Sequence, residues 1–151
     1  MSWVDEELLF PPLLDYQRIF DAMPGMCLIL DPKFNIIAQN AEHAKATLST
    51  GKEVIGKFLF EIFPDNPGDS NADGVAQVRQ SLIRVMETLK QDVIPIIRYD
   101  VKPKFGEYDE RYWAITNTPI LGPDGFVQWI INRADDVTEL VRLRNIRRVI
   151  P

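Results

Sequence analysis

The chain has 151 residues, of which 46% are hydrophobic and 26% are charged, and its net charge at pH 7 is -5. A chain of this length buries roughly 68–70% of its unfolded surface, so we expect one domain with a sizeable core. The negative charge argues against a surface that binds nucleic acid by neutralising phosphates, and a single cysteine excludes an intrachain disulfide. No apolar run approaches the roughly 20 residues that cross a bilayer, and the acidic start MSWVDEELLF is unlike a signal peptide. We therefore expect a cytoplasmic domain with no membrane span.

The first predicted elements are a helix and a β-hairpin. Apolar spacing predicts a helix that begins near Leu13 and ends at the turn MPGM. The stretch MCLILDPKFNIIAQN then predicts two short strands joined by a turn, with Asn35 in the left-handed conformation that a tight turn needs. Asn40 closes the second strand. Its side chain is expected to cap a short helix over residues 41–48, because it can accept hydrogen bonds from first-turn amides.

The middle of the chain predicts helices and the later part predicts strands. Two short helical pieces are expected around Glu53 and Leu59, followed by a long helix from Gly74, where apolar residues recur every three or four positions. Three strands are predicted next, over residues 93–101, 111–121 and 126–136. Because Pro95 would remove a ladder hydrogen bond, the first of these strands should lie at a sheet edge.

The last two strands can be aligned against each other if GPDG is a four-residue loop. That alignment pairs Leu121 with Phe126, Ile115 with Asn132 and Asn117 with Ile130. Side chains alternate between the two faces of a sheet. One face would carry Trp113, Ile115, Asn117, Ile130 and Asn132, and the other would carry Val127, Trp129 and Ile131. Because both faces are apolar, one should meet the helical layer and the other a terminal helix or a second chain.

The last strand passes into a helix without an intervening glycine or proline. Asp136 and Thr138 lie where the apolar period changes, and both residue types favour a helix N-cap. The apolar stripe that follows comprises Leu140, Leu143, Ile146 and Ile150. This spacing is close to that of a two-stranded coiled coil, so the helix is predicted to pair with its equivalent in a second copy. The alternative is a helix that folds back on its own sheet.

Four stretches, in this order, resemble the PAS family. They are LILDPKFNIIAQN, EVIGKFLFEIFP, NTPILGPDGFVQWII and DVTEL, and the resemblance covers residues 16–140. It implies an α+β, profilin-like fold, with a five-stranded antiparallel sheet, a helical cradle on one face, and flanking helices at both ends. It also implies an N-terminal flanking segment (residues 1–15), a PAS sensor domain (residues 16–137) and a C-terminal output helix (residues 138–151).

The resemblance raises two cofactors that the sequence can be compared with. Flavin-photoactive members carry a cysteine in the cradle, whereas Cys27 lies on the first predicted strand, which argues against a covalent flavin adduct. Haem-binding members place a histidine on the long helix, which has none here, and this argues against haem. His43 is expected to be a surface residue or one with satisfied hydrogen bonds, with haem ligation as the less favoured alternative. The cofactor, if any, stays unknown.

Calcium binding and catalysis are the other two chemistries to consider. The stretch DSNADG matches the first half of a calcium loop, but Gln80 occupies the position where a bidentate glutamate belongs. A plain turn in which Asp73 caps the long helix is therefore preferred. An enzyme is not expected, because the chain has no glycine-rich phosphate loop and no histidine beside a plausible nucleophile. If the parent protein is a sensor histidine kinase, its catalytic part lies outside this chain.

Three functional interpretations remain, in order of preference. The first is a sensory domain that binds a small molecule or senses a cue, and relays it through the C-terminal helix to a kinase or a DNA-binding transcription regulator in the same polypeptide. The second is a PAS module that only forms homodimers or protein contacts, without a ligand. The third is a small catalytic or metal-dependent domain.

The first interpretation assigns residues to three roles. The predicted ligand pocket comprises Asn117, Asn132, Trp113, Ile115, Ile130 and Phe60. Its two amides could orient a small molecule, or could instead bond to each other, to water or to cradle backbone. Asp136 and Thr138 are predicted to relay the signal, and the predicted homodimer interface comprises Trp129, Ile131, Phe20 and Leu14.

Overall fold

The computed structural model describes residues 13–103 and 105–149, which form an antiparallel sheet with helices against one face. The strands are β1 (Met26–Leu30), β2 (Ile36–Gln39), β3 (Asp92–Arg98), β4 (Tyr112–Leu121) and β5 (Val127–Asp136). The helices are α1 (Tyr16–Ala22), α2 (Ala41–Thr47), α3 (Gly51–Val54), α4 (Leu59–Ile62), α5 (Gly74–Thr88) and α6 (Thr138–Val149). The predicted fold class is confirmed. Ile150 and most of the predicted N-terminal flank lie outside the described residues.

The strand order in the sheet is β2-β1-β5-β4-β3, which places β5 at the centre. Strand β3 lies at an edge, as Pro95 predicted, and its pairing with β4 is irregular between Ile94 and Ile97. The central strand pairs with β1 on one side and β4 on the other.

The hairpin between β1 and β2 is held by the side chain of Asp31. Its Oδ1 accepts from the backbone N–H groups of Lys33 and Asn35, at 2.9 Å each, and its Oδ2 accepts from Asn35 Nδ2. The left-handed residue of the turn is Phe34, with φ 68°, so the prediction that Asn35 takes this conformation is wrong. The physical reason is that both the backbone and the side chain of Asn35 are already engaged by Asp31.

Two helix starts differ from the predictions. Helix α1 begins at Tyr16 rather than near Leu13, because the Asp15 side chain caps it by accepting from Arg18 N. Asp73 sits at the N-cap position of α5 but makes no side-chain cap bond. The first turn is satisfied from the preceding loop instead, where Asp65 Oδ1 accepts from Val75 N at 3.0 Å.

Asn40 caps α2 as predicted and also joins three other segments. Its Oδ1 accepts from His43 N in the helix and from Cys27 N in β1, both at 3.0 Å. Its Nδ2 donates to the carbonyl oxygens of Gly25, at 2.7 Å, and Met23. Because Asn40 is fully buried and all these groups are satisfied, it fixes where α2 sits over the sheet.

The register of β4 against β5 differs from the prediction by an even number of residues. Asn117 lies opposite Asn132, and Ile115 lies opposite Ala134. The predicted pairs were wrong for two reasons, each worth one residue. The loop is one residue longer than GPDG and is closed by a 2.8 Å bond from Gly122 N to the carbonyl oxygen of Phe126, and Gln128 is an extra residue in β5. Beyond Gln128 the shift is even, so the side chains there stay on their predicted faces. The inner face therefore carries the predicted set, Trp113, Ile115, Asn117, Ile130 and Asn132, all of them buried.

A bulge near the start of β5 reverses the direction of Val127. Ile120 lies opposite Trp129 but Leu121 lies opposite Val127, so Gln128 is an extra residue in the ladder. Val127 consequently belongs to the core, and the prediction that it shares the outer face with Trp129 is wrong. The outer face is still apolar and open, since Trp129 is 40% exposed and Ile131, on the same face, is half-buried.

Candidate functional site

A cavity of about 70 Å³ lies between the helices and the inner face of the sheet. Its lining residues are Leu28, His43, Thr47, Leu59, Phe60, Phe63, Val78, Tyr99, Asp100, Val101, Trp113, Ile115, Asn132 and Ala134. A molecule of liquid water takes up about 30 Å³, so the cavity has room for a few waters or for an organic molecule of a few non-hydrogen atoms. The lining is largely apolar with a few polar groups, which is the usual character of a small-molecule site.

Two buried amides meet beneath the cavity. Asn132 Nδ2 donates to Asn117 Oδ1 at 2.7 Å, and Asn117 Nδ2 donates to Ser81 Oγ on α5 at 2.9 Å. Asn117 is fully buried under the helix, whereas Asn132 also lines the cavity. Among the described residues no group donates to Asn132 Oδ1. This carbonyl oxygen is therefore available to a molecule in the cavity.

His43 forms part of the opposite wall. The side-chain amide of Gln39 hydrogen-bonds its Nδ1 at 3.0 Å, and the Phe63 ring packs edge-on against the imidazole with centroids 5.6 Å apart. Burial lowers the pKa of His43 from 6.5 to about 4, because the charged form would lose its hydration. At neutral pH the cavity therefore contains an uncharged imidazole.

The third wall comes from Tyr99 and Asp100 at the end of β3. The Tyr99 hydroxyl donates to the carbonyl oxygen of Phe63, and Trp113 Nε1 donates to the carbonyl oxygen of Tyr99 at 2.7 Å. The Tyr99 ring packs so closely on Gly74 that a Cβ there would lie 2.7 Å from it, so the first residue of α5 must be glycine. These contacts tie the long helix to the cavity wall.

Asp100 is a buried carboxylate whose oxygens are already bonded. Arg98 donates to both oxygens at 3.0 Å, and Asn66 Nδ2 donates to Oδ2 at 2.9 Å. Although desolvation raises its pKa, these bonds and the backbone N–H of Arg111 outweigh it and hold the pKa below the usual value. Asp100 therefore stays ionised, and no positively charged side chain lines the cavity among the described residues.

The cavity is connected to the last helix through β5. At the end of this strand, Asp136 Oδ1 accepts from Thr138 N at 2.9 Å and from its hydroxyl, and Asp136 Oδ2 binds Arg111 Nη1 at 2.8 Å. Thr138 Oγ1 accepts from Tyr112 N on β4. Desolvation raises the pKa of Asp136, but the bonds from Thr138 and Arg111 outweigh it and lower the pKa overall. The start of α6 is thus bonded to both central strands.

The predicted pocket residues are divided by the structure into two groups. Asn132, Trp113, Ile115 and Phe60 line the cavity. Asn117 and Ile130 are fully buried but lie outside its lining. His43, Tyr99 and Asp100 were not predicted to line it. A signal for His43 existed, because it shares a helix face with Thr47 four residues on, and both line the cavity.

The predicted dimer residues all reach the surface to some degree. Leu14 is 58% exposed and Trp129 is 40% exposed, while Phe20 and Ile131 are half-buried. The stripe on α6 is exposed as well, with Leu140, Leu143 and Ile146 each more than half accessible. In α6 only Thr138 and Val141 are buried. Over its described length, this helix therefore does not fold back on the sheet.

The described residues contain no group of three or more His, Cys, Asp or Glu side chains that could hold a metal ion. In the stretch that resembled a calcium loop, Asp69 accepts from Asn71 N and lies 3.7 Å from Arg98. Its carboxylate is thus engaged within the protein. In the part of the chain with described coordinates, no helix has the length and apolarity to cross a membrane.

Comparison with solved structures finds the same fold in proteins of low sequence identity. The PAS domain of a protein from Colwellia psychrerythraea is 16% identical, with a TM-score of 0.63, covering 91% of this chain and 99% of that one. A sensory box sensor histidine kinase from Vibrio cholerae is also 16% identical, with a TM-score of 0.55, covering 90% and 94%. The Drosophila melanogaster Cycle PAS-B domain with bound ethylene glycol is 13% identical, with a TM-score of 0.58, covering 74% and 98%.

A family model described as PAS fold matches residues 20–142. No curated protein matches the sequence. The matched stretch runs from α1 into α6 and includes all five strands, the cavity and the junction after β5. The family resemblance predicted from the four sequence stretches is confirmed. The chain therefore belongs to the PAS-fold family, whose fold is typical of sensory domains.

Proposed function

We propose that this chain is a cytoplasmic sensory domain that binds a small molecule in the cavity and relays its presence through α6. The observation that carries the proposal is the position of Asn132, whose side chain lines the cavity while its backbone belongs to the central strand that ends at Asp136. A molecule that moves Asn132 would move the strand that holds the first turn of α6. A shift of a few kcal/mol between two packings is enough for such a switch.

The size of the cavity favours a small ligand. At about 70 Å³ it is well below the roughly 300–1,000 Å³ of sites for drug-sized molecules. The similar Cycle PAS-B domain holds ethylene glycol, a molecule with few non-hydrogen atoms. A small metabolite with a polar group therefore suits this cavity better than haem or a flavin.

The relay requires an effector and a second copy of the chain. We expect the effector, a histidine kinase or a DNA-binding regulator, to be in the same polypeptide. The exposed stripe Leu140, Leu143 and Ile146 recurs every three residues and would pair with the same stripe in a homodimer. A helix of this length is marginal in isolation, so it depends on the domain for its start.

Native mass spectrometry of freshly purified protein tests ligand binding without guessing the ligand. We expect a mass excess that disappears on denaturation and is lost in Ile115→Phe, because the larger ring would fill the cavity. The control is Ile37→Phe, at a β2 position that is 41% exposed, which should keep the excess. Protein without excess mass, whose thermal stability also fails to respond to a library of small metabolites, would contradict ligand binding.

A second function is favoured by one specific observation. The two amides under the cavity already bond to each other and to Ser81, so they need no ligand to be satisfied. A module that only forms homodimers, with water in its cavity, would show this arrangement too. It predicts no bound molecule in the native spectrum and dimerisation that is unchanged in Ile115→Phe.

A further inference from the structure

A series of hydrogen bonds runs from the cavity to α5, where it ends beside an ion pair at the protein surface. Asn132 donates to Asn117, and Asn117 donates to the hydroxyl oxygen of Ser81. Asp92, on β3, is the cross-strand partner of Asn117 and lies beside Ser81. Arg84, one helical turn after Ser81, binds both oxygens of Asp92, at 3.0 and 2.9 Å. These four side chains, from Asn132 to Asp92, form what we term the amide relay.

Asp92 is the charged end of the amide relay. An ionised carboxylate can only accept hydrogen bonds. Bonds from Arg84, and to a smaller extent from the Ser81 hydroxyl, lower the pKa of Asp92 despite its partial desolvation. The Ser81 oxygen accepts from Asn117 Nδ2 at 2.9 Å, which leaves the Ser81 proton free to point to Asp92. The Asn117 atom that faces Asn132 is its carbonyl oxygen, which lies 2.7 Å from Asn132 Nδ2.

We infer that the amide relay holds the Asn132 carbonyl oxygen toward the cavity, and that the ligand is a small uncharged molecule that donates an N–H or O–H hydrogen bond to it. This inference rests on the proposed function, that the cavity takes a ligand. A molecule with only acceptor atoms would leave the Asn132 oxygen buried without a partner, which is costly. Reversing the Asn132 amide would place its oxygen against the Asn117 oxygen. Asn117 would then have to reverse as well and would lose its bond to the Ser81 oxygen.

The charges around the cavity favour an uncharged ligand. Among the described residues, the lining contains no lysine or arginine, so an anion would find no positive partner. The lining does contain the ionised carboxylate of Asp100, which would repel an anion, but Arg98 and Asn66 already occupy its oxygens. A cation would therefore lose its hydration without gaining a free carboxylate.

Pyrrole and furan form a matched pair of probes for this inference. Both are small five-membered rings, but pyrrole donates through its N–H and furan has no donor. Binding is followed by NMR, at the indole N–H of Trp113 and the side-chain amide of Asn132, both at the cavity. We expect pyrrole to bind about tenfold more tightly than furan, since furan leaves an unsatisfied acceptor.

The variant Asp92→Asn tests whether the surface carboxylate sets this preference. An asparagine can donate to Ser81, which frees the hydroxyl proton to point at Asn117 and removes the constraint on the amides. We expect the ratio of pyrrole to furan affinity to fall to near unity. The control is Asp21→Asn, an exposed position on α1 without a hydrogen bond to any described residue, where the ratio should not change.

The outcomes separate the inference from the proposed function. Equal binding of the two probes, or tighter binding of furan, would overturn the inference while leaving a ligand site. A lack of response to either probe at saturating concentration would overturn the ligand site itself. If Asp92→Asn does not fold, nuclear Overhauser effects in the unmodified protein decide: the Asn117 amide protons should lie near the Ser81 β-protons, and proximity to Asn132 instead would overturn the inference.

Discussion

His43 is a buried imidazole in surroundings that oppose its protonation. Its ring packs on Phe63 and bonds to Gln39, and its pKa is lowered to about 4 by burial. In the unfolded chain the same group has a pKa of about 6.5. Between these two values the unfolded state binds a proton that the native state does not. Stability must therefore fall as the pH decreases through this window.

We predict that the free energy of unfolding from urea titrations is lower at about pH 5 than at about pH 8, with His43 contributing about 2 kcal/mol of the loss. Carboxylates contribute little at this pH, since their unfolded pKa values are near 4. Between the same two pH values, the free energy of unfolding of the variant His43→Gln should fall by about 2 kcal/mol less than that of the unmodified protein. Equal losses in the two proteins would show that His43 is not the group that titrates.

The difference between predicted and unpredicted site residues has a physical reason. Asn132 and Trp113 could be assigned to the inner face from the sequence, because successive side chains of a strand point to opposite faces. Asp100 could not, because its burial depends on Asn66 and Arg98 arriving from other segments. The spacing of His43 and Thr47 places them on one helix face, but that this face meets the cavity depends on Asn40, which positions α2 through bonds to β1.

At the scale of elements, the proposed relay of the signal to α6 depends on the junction of β5 and α6. One carboxylate oxygen of Asp136 accepts from Thr138 N in the first turn of α6, and the other accepts from Arg111, which precedes the neighbouring strand β4. A side chain in both roles couples the helix start to the sheet. Asp135 differs, since it points outward and only pairs with Arg133 at 3.5 Å, where both are half exposed.

We predict that Asp136→Ala lowers the free energy of unfolding by about 1 kcal/mol, because its side chain accepts a hydrogen bond from the first amide of α6 in the way that a capping residue does. Hydrogen exchange should accelerate at the amides of Thr138 and Val141 in the first turns of α6. The matched control Asp135→Ala removes only an exposed ion pair and should change stability by less than about 0.5 kcal/mol. If both variants accelerate exchange in α6 equally, Asp136 does not hold the helix start.

The strand positions were predictable from the sequence, but the register was not. Alternation of apolar residues identifies β4 and β5, while register depends on the loop that joins them. That loop is closed by a bond between Gly122 and Phe126, and the bulge at Gln128 turns Val127 into the core. Neither the loop closure nor the bulge can be predicted from the apolar pattern, because both depend on backbone geometry.

At the scale of the whole molecule, two apolar surfaces remain without a partner among the described residues. One is the outer sheet face with Trp129 and Ile131, and the other is the stripe on α6 with Leu140, Leu143 and Ile146. Monomers rarely expose large continuous apolar surfaces. Both surfaces are available to a second copy of this chain.

We predict that sedimentation at tens of micromolar protein detects a homodimer. Trp129→Ser should weaken dimerisation about tenfold or more, because aromatic residues dominate interface energetics. The control is Phe105→Ser, which removes an aromatic ring that is 86% exposed in the loop between β3 and β4. A monomer at this concentration, or equal weakening by both variants, would count against the outer sheet face as the interface.

The central claim is that occupancy of the cavity reaches the last helix through β5. The most direct measurement is the backbone amide spectrum of α6 while the cavity is saturated with pyrrole. We predict saturable shifts that run from Asn132 through Thr138 to Val141, with the same midpoint as the Trp113 indole signal, and no such shifts in Ile115→Phe. Shifts that stay confined to the cavity residues, with Thr138 and Val141 unchanged, would contradict the account.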